Sequence, residues 1–305
     1  MMNNHINYLY EKPRFSHLGF SVIATILILT FYQASLFLGT FLINNNQNYS
    51  FLFPFVIGVC SLLFLLTPTL IAAKISPLPF KELFRLKKPD LYILSLSLLG
   101  ILTFQIFVIG YSALQESLIP EPLKEFYLYY AETIRNLYES ILGGNTFLDY
   151  LKGFIIGAII PAISEEALFR GFFQRSLEEK LKPISAILIS GILFGLIHMN
   201  PIDLIPLILI GIYLSMLAFY SGSIWVPISV HFLNNFWAVN VMYFSPLKDL
   251  EEQSRNIPVH ISLSLLLFGA LTTLMFLFLI IKYSEKIKSQ KINSISLHEE
   301  SNYWK

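Results

Sequence analysis

Long apolar runs alternate with short polar strips along this chain. Eight such runs, at 18–43, 51–73, 91–114, 148–162, 184–199, 204–219, 226–244 and 259–281, come close to the ~20 residues that a helix needs to cross a bilayer. They predict an all-α, polytopic membrane protein built as a bundle of about eight transmembrane helices. Residues 122–142 follow a different rule: Leu123, Phe126, Tyr127, Tyr130, Ile134, Leu137, Tyr138 and Ile141 recur at helical spacing, with Glu125, Glu132, Arg135 and Glu139 between them. That pattern predicts an amphipathic helix lying along the outer membrane face. The first run is too long for a signal-peptide core and ends in Asn44, Asn45 and Asn46 without a small-residue cleavage site, so it is expected to stay in the mature protein. The Lys-rich stretch after Ile281 is expected to be a disordered tail. No internal repeat or second domain is visible. The predicted organisation is a cytoplasmic segment at 1–17, N-terminal membrane helices with the amphipathic helix over 18–147, a core over 148–244, a last membrane helix within 245–282 and a cytoplasmic tail at 283–305.

Composition turns the pattern into a solvent assignment. Of the 305 residues 55% are hydrophobic and only 13% charged, with a mean hydropathy of +0.62, whereas soluble domains hold ~45–50% apolar residues. Lys and Arg then orient the bundle, because cytoplasmic flanks accumulate them. Sixteen fall on the side shared by the termini and five on the other, while the acidic residues divide evenly. Both termini are therefore expected in the cytoplasm, with the chain in the plasma membrane and lipid as its first partner. A net charge of +1 offers no basic surplus, so nucleic acid is not expected as a partner. The lone Cys60 excludes an internal disulfide framework and any multi-cysteine metal site.

With charges so scarce, ionisable groups near apolar spans mark candidate chemistry, since each costs ~2.5–3.5 kcal/mol at a membrane helix centre. They cluster in the second half of the chain. Ala162 to Phe173 reads Ala-Ile-Ser-Glu-Glu-Ala-Leu-Phe-Arg-Gly-Phe-Phe, and nothing in it breaks a helix before Gly171, so the fourth helix is expected to continue toward Lys180. Glu166 and Arg170, four apart, can pair on one face, leaving Glu165 about 100° around the helix. The bland alternative is an ordinary ion pair at a helix end. The chain should reverse near Lys182 and Pro183; Glu165 lies 17 residues before Lys182 and His198 16 after it, which puts both roughly 25 Å from the turn. Phe194 precedes His198 by one turn, and Gly191 and Gly195 form a small-xxx-small pair that permits close helix approach. In the seventh run His231 and Asn235 project from one face, with Asn234 turned away. Alone, His198 reads as an interfacial cap and the His231–Asn235 pair as bundle hydrogen bonding; three clusters able to converge weaken both readings.

A carboxylate beside an imidazole can hold and deprotonate a water, and His and Asn side chains can donate to a developing oxyanion. That is the chemistry of amide hydrolysis. Glu165, His198 and His231 could equally hold zinc or another divalent metal with one position open for water; the residues leave the metal-dependent and metal-free versions equally open. There is no H-E-x-x-H helix and no G-x-S-x-G elbow.

Glu165-Glu166-x-x-x-Arg170, Phe194-x-x-x-His198 and His231-x-x-x-Asn235 resemble, in order, the three motifs of the CPBP membrane proteins, which include CAAX prenyl endopeptidases of the Ras-converting type and proteins of bacteriocin processing or self-immunity. The resemblance covers roughly residues 148–244. It implies an intramembrane endopeptidase, usually called a metalloprotease although a metal-free glutamate mechanism has also been argued, acting on a hydrophobic or lipidated peptide or protein. Carried over by position, Glu165 and His198 would activate water, His231 and Asn235 would stabilise the oxyanion or help bind metal, and Glu166 with Arg170 and Phe194 would shape the site. Two other readings stand beside it: a non-catalytic immunity or scaffold protein of the same fold, and a proton-coupled transporter, since buried Glu and His also build relays.

Overall fold

In hydrocarbon every backbone N–H and C=O must be bonded within the chain, and the computed structural model meets that demand with helices alone: among the described residues, 17–44, 51–255 and 257–303, there is no strand. The helices are α1 (His17–Asn44), α2 (Phe53–Ile75), α3 (Leu91–Leu118), α4 (Glu121–Leu142), α5 (Phe147–Glu178), α6 (Pro183–Leu196), α7 (Leu204–Ser221), α8 (Trp225–Tyr243), α9 (Ser245–Arg255) and α10 (Val259–Tyr303). Local sequence sets their ends. Asp90 accepts the free N–H groups of Tyr92 and Ile93 at 2.9 and 3.0 Å, Thr146 and Asp149 form a reciprocal capping box, and Gly222 takes the left-handed φ of +61° that stops α7.

The protein is an all-α polytopic membrane protein, and each of the eight apolar runs lies on a helix. Six helices are long and apolar enough to cross a bilayer: α1, α2, α3, α5, α7 and α10. The other two runs fall short for physical reasons. α6 has 14 residues, about 21 Å at 1.5 Å each, against a ~30 Å core. α8 has 19, but His231, Asn234, Asn235 and Asn240 lower its apolar content. The predicted tail also differs. Instead of a disordered segment after Ile281, the helix runs on to Tyr303, because Val259–Tyr303 contains no proline and its polar end is rich in the helix formers Lys, Glu and Gln. Its exit is anchored on α7, where Ser284 donates to the Tyr220 carbonyl at 2.6 Å. The predicted N-terminal segment, apart from His17, lies outside the described residues.

Without water to squeeze out between them, membrane helices associate by close packing and hydrogen bonds, and two antiparallel pairs show it. On α3 and α10, Gly100, Gly110 and Gly269 face Phe276, Leu266 and Phe107, and Thr103 bonds Thr273 at 2.9 Å. On α6 and α7 a Cβ added to Gly191 would come within 2.5 Å of the Ile212 nitrogen, and one on Gly195 within 2.7 Å of the Ile208 nitrogen. The short α6 thus forms a tight hairpin with α7, and the turn between them, with Met199 at φ +48°, carries His198. α4 packs on α2, α5 and α8, holds that turn through Tyr130 to the Met199 carbonyl at 3.4 Å, and is tied to α9 by Arg135–Glu252 and by Lys248–Glu139.

Gly191→Leu has no room between α6 and α7. It is expected to destabilise the bundle by about 2 kcal/mol or more, as overpacking does, and a lowered midpoint in SDS unfolding of the detergent-solubilised protein checks this.

Candidate active site

α5 is continuous but not uniform. Two of its turns, Gly153–Ile159 and Ala167–Phe173, are π-helical. The first precedes Pro161, which has no N–H to give; the Ile160 N–H reaches back five residues to Ile155 instead of four. The second follows directly on Glu165 and Glu166 and contains Arg170. Such widened turns are found mostly as single insertions in α-helices, often at functional sites.

Along one face of α5 run Glu166, Arg170, Gln174 and Glu178, four residues apart. The first three are fully buried. Arg170 Nη1 donates to Glu166 Oε1 at 2.7 Å, as the spacing predicts, and Nη2 donates to the Gly211 carbonyl of α7 at 2.9 Å. One turn on, Gln174 Nε2 donates to Glu178 Oε1 and to the Ser215 carbonyl of α7, both at 2.9 Å. Glu178 is closed off by Arg85. This polar seam stitches α5 to α7 in a bundle interior where unpaired charge is costly. Gln174 escaped the sequence reading, although the same four-residue spacing that marked Glu166 and Arg170 points to it.

His231, buried on α8, brings the third helix in. Its Nδ1 lies 2.8 Å from Glu166 Oε1, so one carboxylate oxygen receives both Arg170 and His231. Its Nε2 lies 3.9 Å from Glu165 Oε2, a separation that a bridging water spans. Glu165 is 9% exposed, and its Oε2 is a buried atom without a hydrogen-bond partner. Phe194 of α6 is the hub for the remaining groups: its ring centre is 4.4 Å from the Arg170 guanidinium carbon, 4.9 Å from the His198 ring and 5.6 Å from the His231 ring. His198 Nδ1 bonds the Phe194 carbonyl at 2.8 Å. A carbonyl only accepts, so this nitrogen carries a proton, and the ring in its neutral form has its lone pair at Nε2.

The structure therefore gathers Glu165, Glu166, Arg170, Phe194, His198 and His231 around one ring. Glu165 and His198 share no hydrogen bond and meet through Phe194 and His231. Asn235 bonds along another line: its Oδ1 accepts from Asn234 Nδ2 at 3.2 Å, and Asn234 Oδ1 accepts from Gln105 Nε2 of α3 at 2.7 Å. Asn234, turned away from the face of His231 and Asn235 in the sequence reading, thus holds the amide of Asn235, and Gln105 was missed because its partner is 129 residues distant.

For a metal, the donor chemistry fits. Glu165 offers an unpartnered carboxylate oxygen, and each histidine has its Nδ1 engaged by an oxygen, the outer bond that usually orients a ligating imidazole. Among the described residues, though, no three His, Cys, Asp or Glu side chains are gathered as a metal set.

Three comparisons bear on this site. Residues 147–237 match the family model described as type II CAAX prenyl endopeptidase Rce1-like. Over 101 residues, 33% of this chain, the sequence is 34% identical to the protein named "Putative membrane peptidase YdiL" of Bacillus subtilis (strain 168), of which the match covers 41%. No solved structure matches.

Arg170→Met removes one partner of a buried pair and leaves Glu166 charged in the interior. A loss of 3–5 kcal/mol is expected, and Glu166→Gln combined with Arg170→Met should recover about half of it; SDS unfolding of the single and double variants measures both.

Proposed function

We propose, from the match of residues 147–237 to the Rce1-like family model, that the chain is an intramembrane endopeptidase that hydrolyses a peptide bond of a hydrophobic or lipidated membrane-associated substrate. The observation that carries this reading is the buried, unpartnered Oε2 of Glu165 facing His231 Nε2 across 3.9 Å. A water between them is within reach of both.

Glu165 Oε2 takes a proton from that water, assisted by the Nε2 lone pair of His198, and the hydroxide attacks the scissile carbonyl carbon. The C=O pair moves onto oxygen. When His231 carries a proton on Nε2, it and the Asn235 amide donate to that oxyanion, with Glu166 as the counter-charge of His231. Collapse breaks the C–N bond, and Glu165 returns its proton to the leaving amine. Arg170 and Phe194 keep Glu166 and the two imidazoles in place. Glu165, His198 and His231 carry the donor types that a divalent metal such as zinc takes and, if drawn together, would hold one that acidifies the same water.

Support for the membrane placement comes from the Lys and Arg asymmetry, which orients both termini to the cytoplasmic face of a plasma membrane. Glu165 is then 13 residues from the end of α5, roughly 20 Å inside, where water is scarce and a hydrophobic chain is the natural substrate.

Purified full-length protein in liposomes, given fluorogenic apolar peptides with and without a lipid anchor, tests the reading. Glu165→Gln should lower kcat by about 10²-fold or more without shifting the unfolding midpoint, and cleavage that survives in Glu165→Gln, His198→Ala and His231→Ala alike overturns it. Treatment with a chelator, with zinc content read by atomic emission, separates the two versions: activity lost with the metal and restored by zinc marks the metal-dependent one, and unchanged activity in zinc-free protein marks the other.

A further inference from the structure

α1 and α2 carry none of the motif residues, yet both reach the level of the site. α2 lies along α5 in parallel: Phe53–Cys60 packs on Gly153–Ile159, Ser61–Leu66 on Ile160–Glu166 and Thr67–Ile75 on Ala167–Phe173. The approach is close at Gly58, where a Cβ would touch the side chains of Ile156 and Ile160 at 3.4–3.6 Å. Three residues on, Ser61 opens a π-helical turn ahead of Pro68, which has no N–H to give. This widened turn of α2 thus packs on the part of α5 that ends in Glu165 and Glu166, and such turns are frequent at functional sites. α1 reaches the same level, since Gln33 Nε2 donates to the Ile197 carbonyl at 2.6 Å, next to His198. Its neighbour Tyr32 places its hydroxyl 3.2 Å from Ser61 Oγ, with both side chains buried.

Two hydroxyls bring two protons, and the bond between them uses one. Among the described residues that is the one hydrogen bond either side chain makes, so one O–H is left over in a dry space. Glu165 has the complementary defect, an Oε2 that is buried and without a partner. Its carboxylate is also the leading charge acting on the Tyr32 hydroxyl, although no direct hydrogen bond joins them. A buried donor and a buried acceptor that do not touch are what an internal water joins, given two to four polar partners. Tyr32, Ser61 and Glu165 make three. A carboxylate oxygen accepts two hydrogen bonds, so Oε2 has room for this water beside the one it shares with His231. The phenol is the more acidic of the two hydroxyls and the better donor toward a carboxylate, which makes Ser61 the donor to Tyr32 and leaves the Tyr32 proton to point onward.

We propose that Tyr32 is a positioning residue for Glu165: its hydroxyl, held by Ser61, donates to a buried water that donates in turn to the Glu165 carboxylate and fixes the rotation at which that carboxylate meets the attacking water. This rests on reading the site as a protease. A flexible glutamate gains from such a tether, because a misplacement of 1 Å at a reacting group can cost 10²-fold in rate.

The test uses full-length protein in nanodiscs and two readouts. In cleavage of an apolar peptide, Tyr32→Phe, which keeps the packed ring, should lower kcat about tenfold, the rate equivalent of one hydrogen bond, with KM within twofold because Tyr32 does not touch substrate. Ser61→Ala should cost about threefold, and the double variant no more than Tyr32→Phe alone, since Ser61 acts through Tyr32. The second readout needs no turnover: the infrared difference between the protein and its Glu165→Gln variant isolates the Glu165 carboxyl band, and Tyr32→Phe should move it. An unmoved band overturns the proposal whatever the kinetics, as does an unchanged kcat in Tyr32→Phe or a double variant whose loss is the product of the single losses. A moved band in a protein that cleaves no peptide overturns the protease reading and leaves the tether standing; cleavage with an unmoved band does the reverse.

Discussion

Glu166 Oε1 receives Arg170 at 2.7 Å and His231 at 2.8 Å, and three helices hang from that oxygen. In the dry interior neither the carboxylate nor the guanidinium is tolerable alone, so wherever Arg170 goes Glu166 must follow, and His231 is fixed by the same demand. Arg170 spends a second N–H on the Gly211 carbonyl, which sets α7 against α5. Glycine at 211 in turn lets α6 lie close on α7, since a Cβ there would press on Gly191 and Phe194 of α6. α6 is then placed by α7, and Phe194 by the Arg170 guanidinium. A single buried ion pair therefore ties residues of α5, α7 and α8 together, and through the α6–α7 hairpin and Phe194 it reaches α6 as well.

The carboxylate that does this holding is fully buried, with its Oε1 engaged by both Arg170 and His231 and its Oε2 enclosed as well. Glu165, its neighbour in sequence, keeps 9% of its surface exposed. An α-helical step of about 100° turns it away from the seam, and its Oε2 is buried without a partner. Adjacent residues of one type thus stand in two settings, one sealed in the seam and one partly exposed, and the difference is imposed by the face each occupies. π-helical turns lie on either side of the pair, at Gly153–Ile159 and Ala167–Phe173, and widen α5 there.

Much of this was legible in the chain. The four-residue spacing of Glu166 and Arg170, the absence of a breaker before Gly171 and the reversal at Lys182 and Pro183 are local signals, and α5 and α6 follow them. Depth matching brought Glu165 and His198 to one level, but their link through the Phe194 ring depends on how α6 rotates about its axis, which spacing does not encode. The bond from Gln105 to Asn234 and the shared use of Glu166 by His231 are contacts between distant segments and left no local trace. Counting spans by apolar run overstated α6 and α8 because such counting ignores helix ends: Leu196 ends α6 two residues before His198, and α8 trades apolar residues for the polar ones that build the site. The tail misled for the reverse reason. Charge argued for solvation, and solvation is compatible with a helix when no proline or glycine interrupts it.

The two short or polar helices are the ones that carry His198, His231 and Asn235. A helix that stops inside the bundle, as α6 does, ends in free carbonyls and a turn that would be ruinous against lipid. Here they are covered: Gln33 of α1 donates to the Ile197 carbonyl at 2.6 Å, Tyr130 of α4 to that of Met199, and Gln115 of α3 to that of Ile202 at 3.1 Å. α1, α3 and α4 carry none of the motif residues, yet each supplies a donor to the turn that holds His198. The N-terminal half of the chain is thus the housing that makes an irregular turn affordable within a membrane, and α4, bound both to that turn and to α9, closes the bundle above the site.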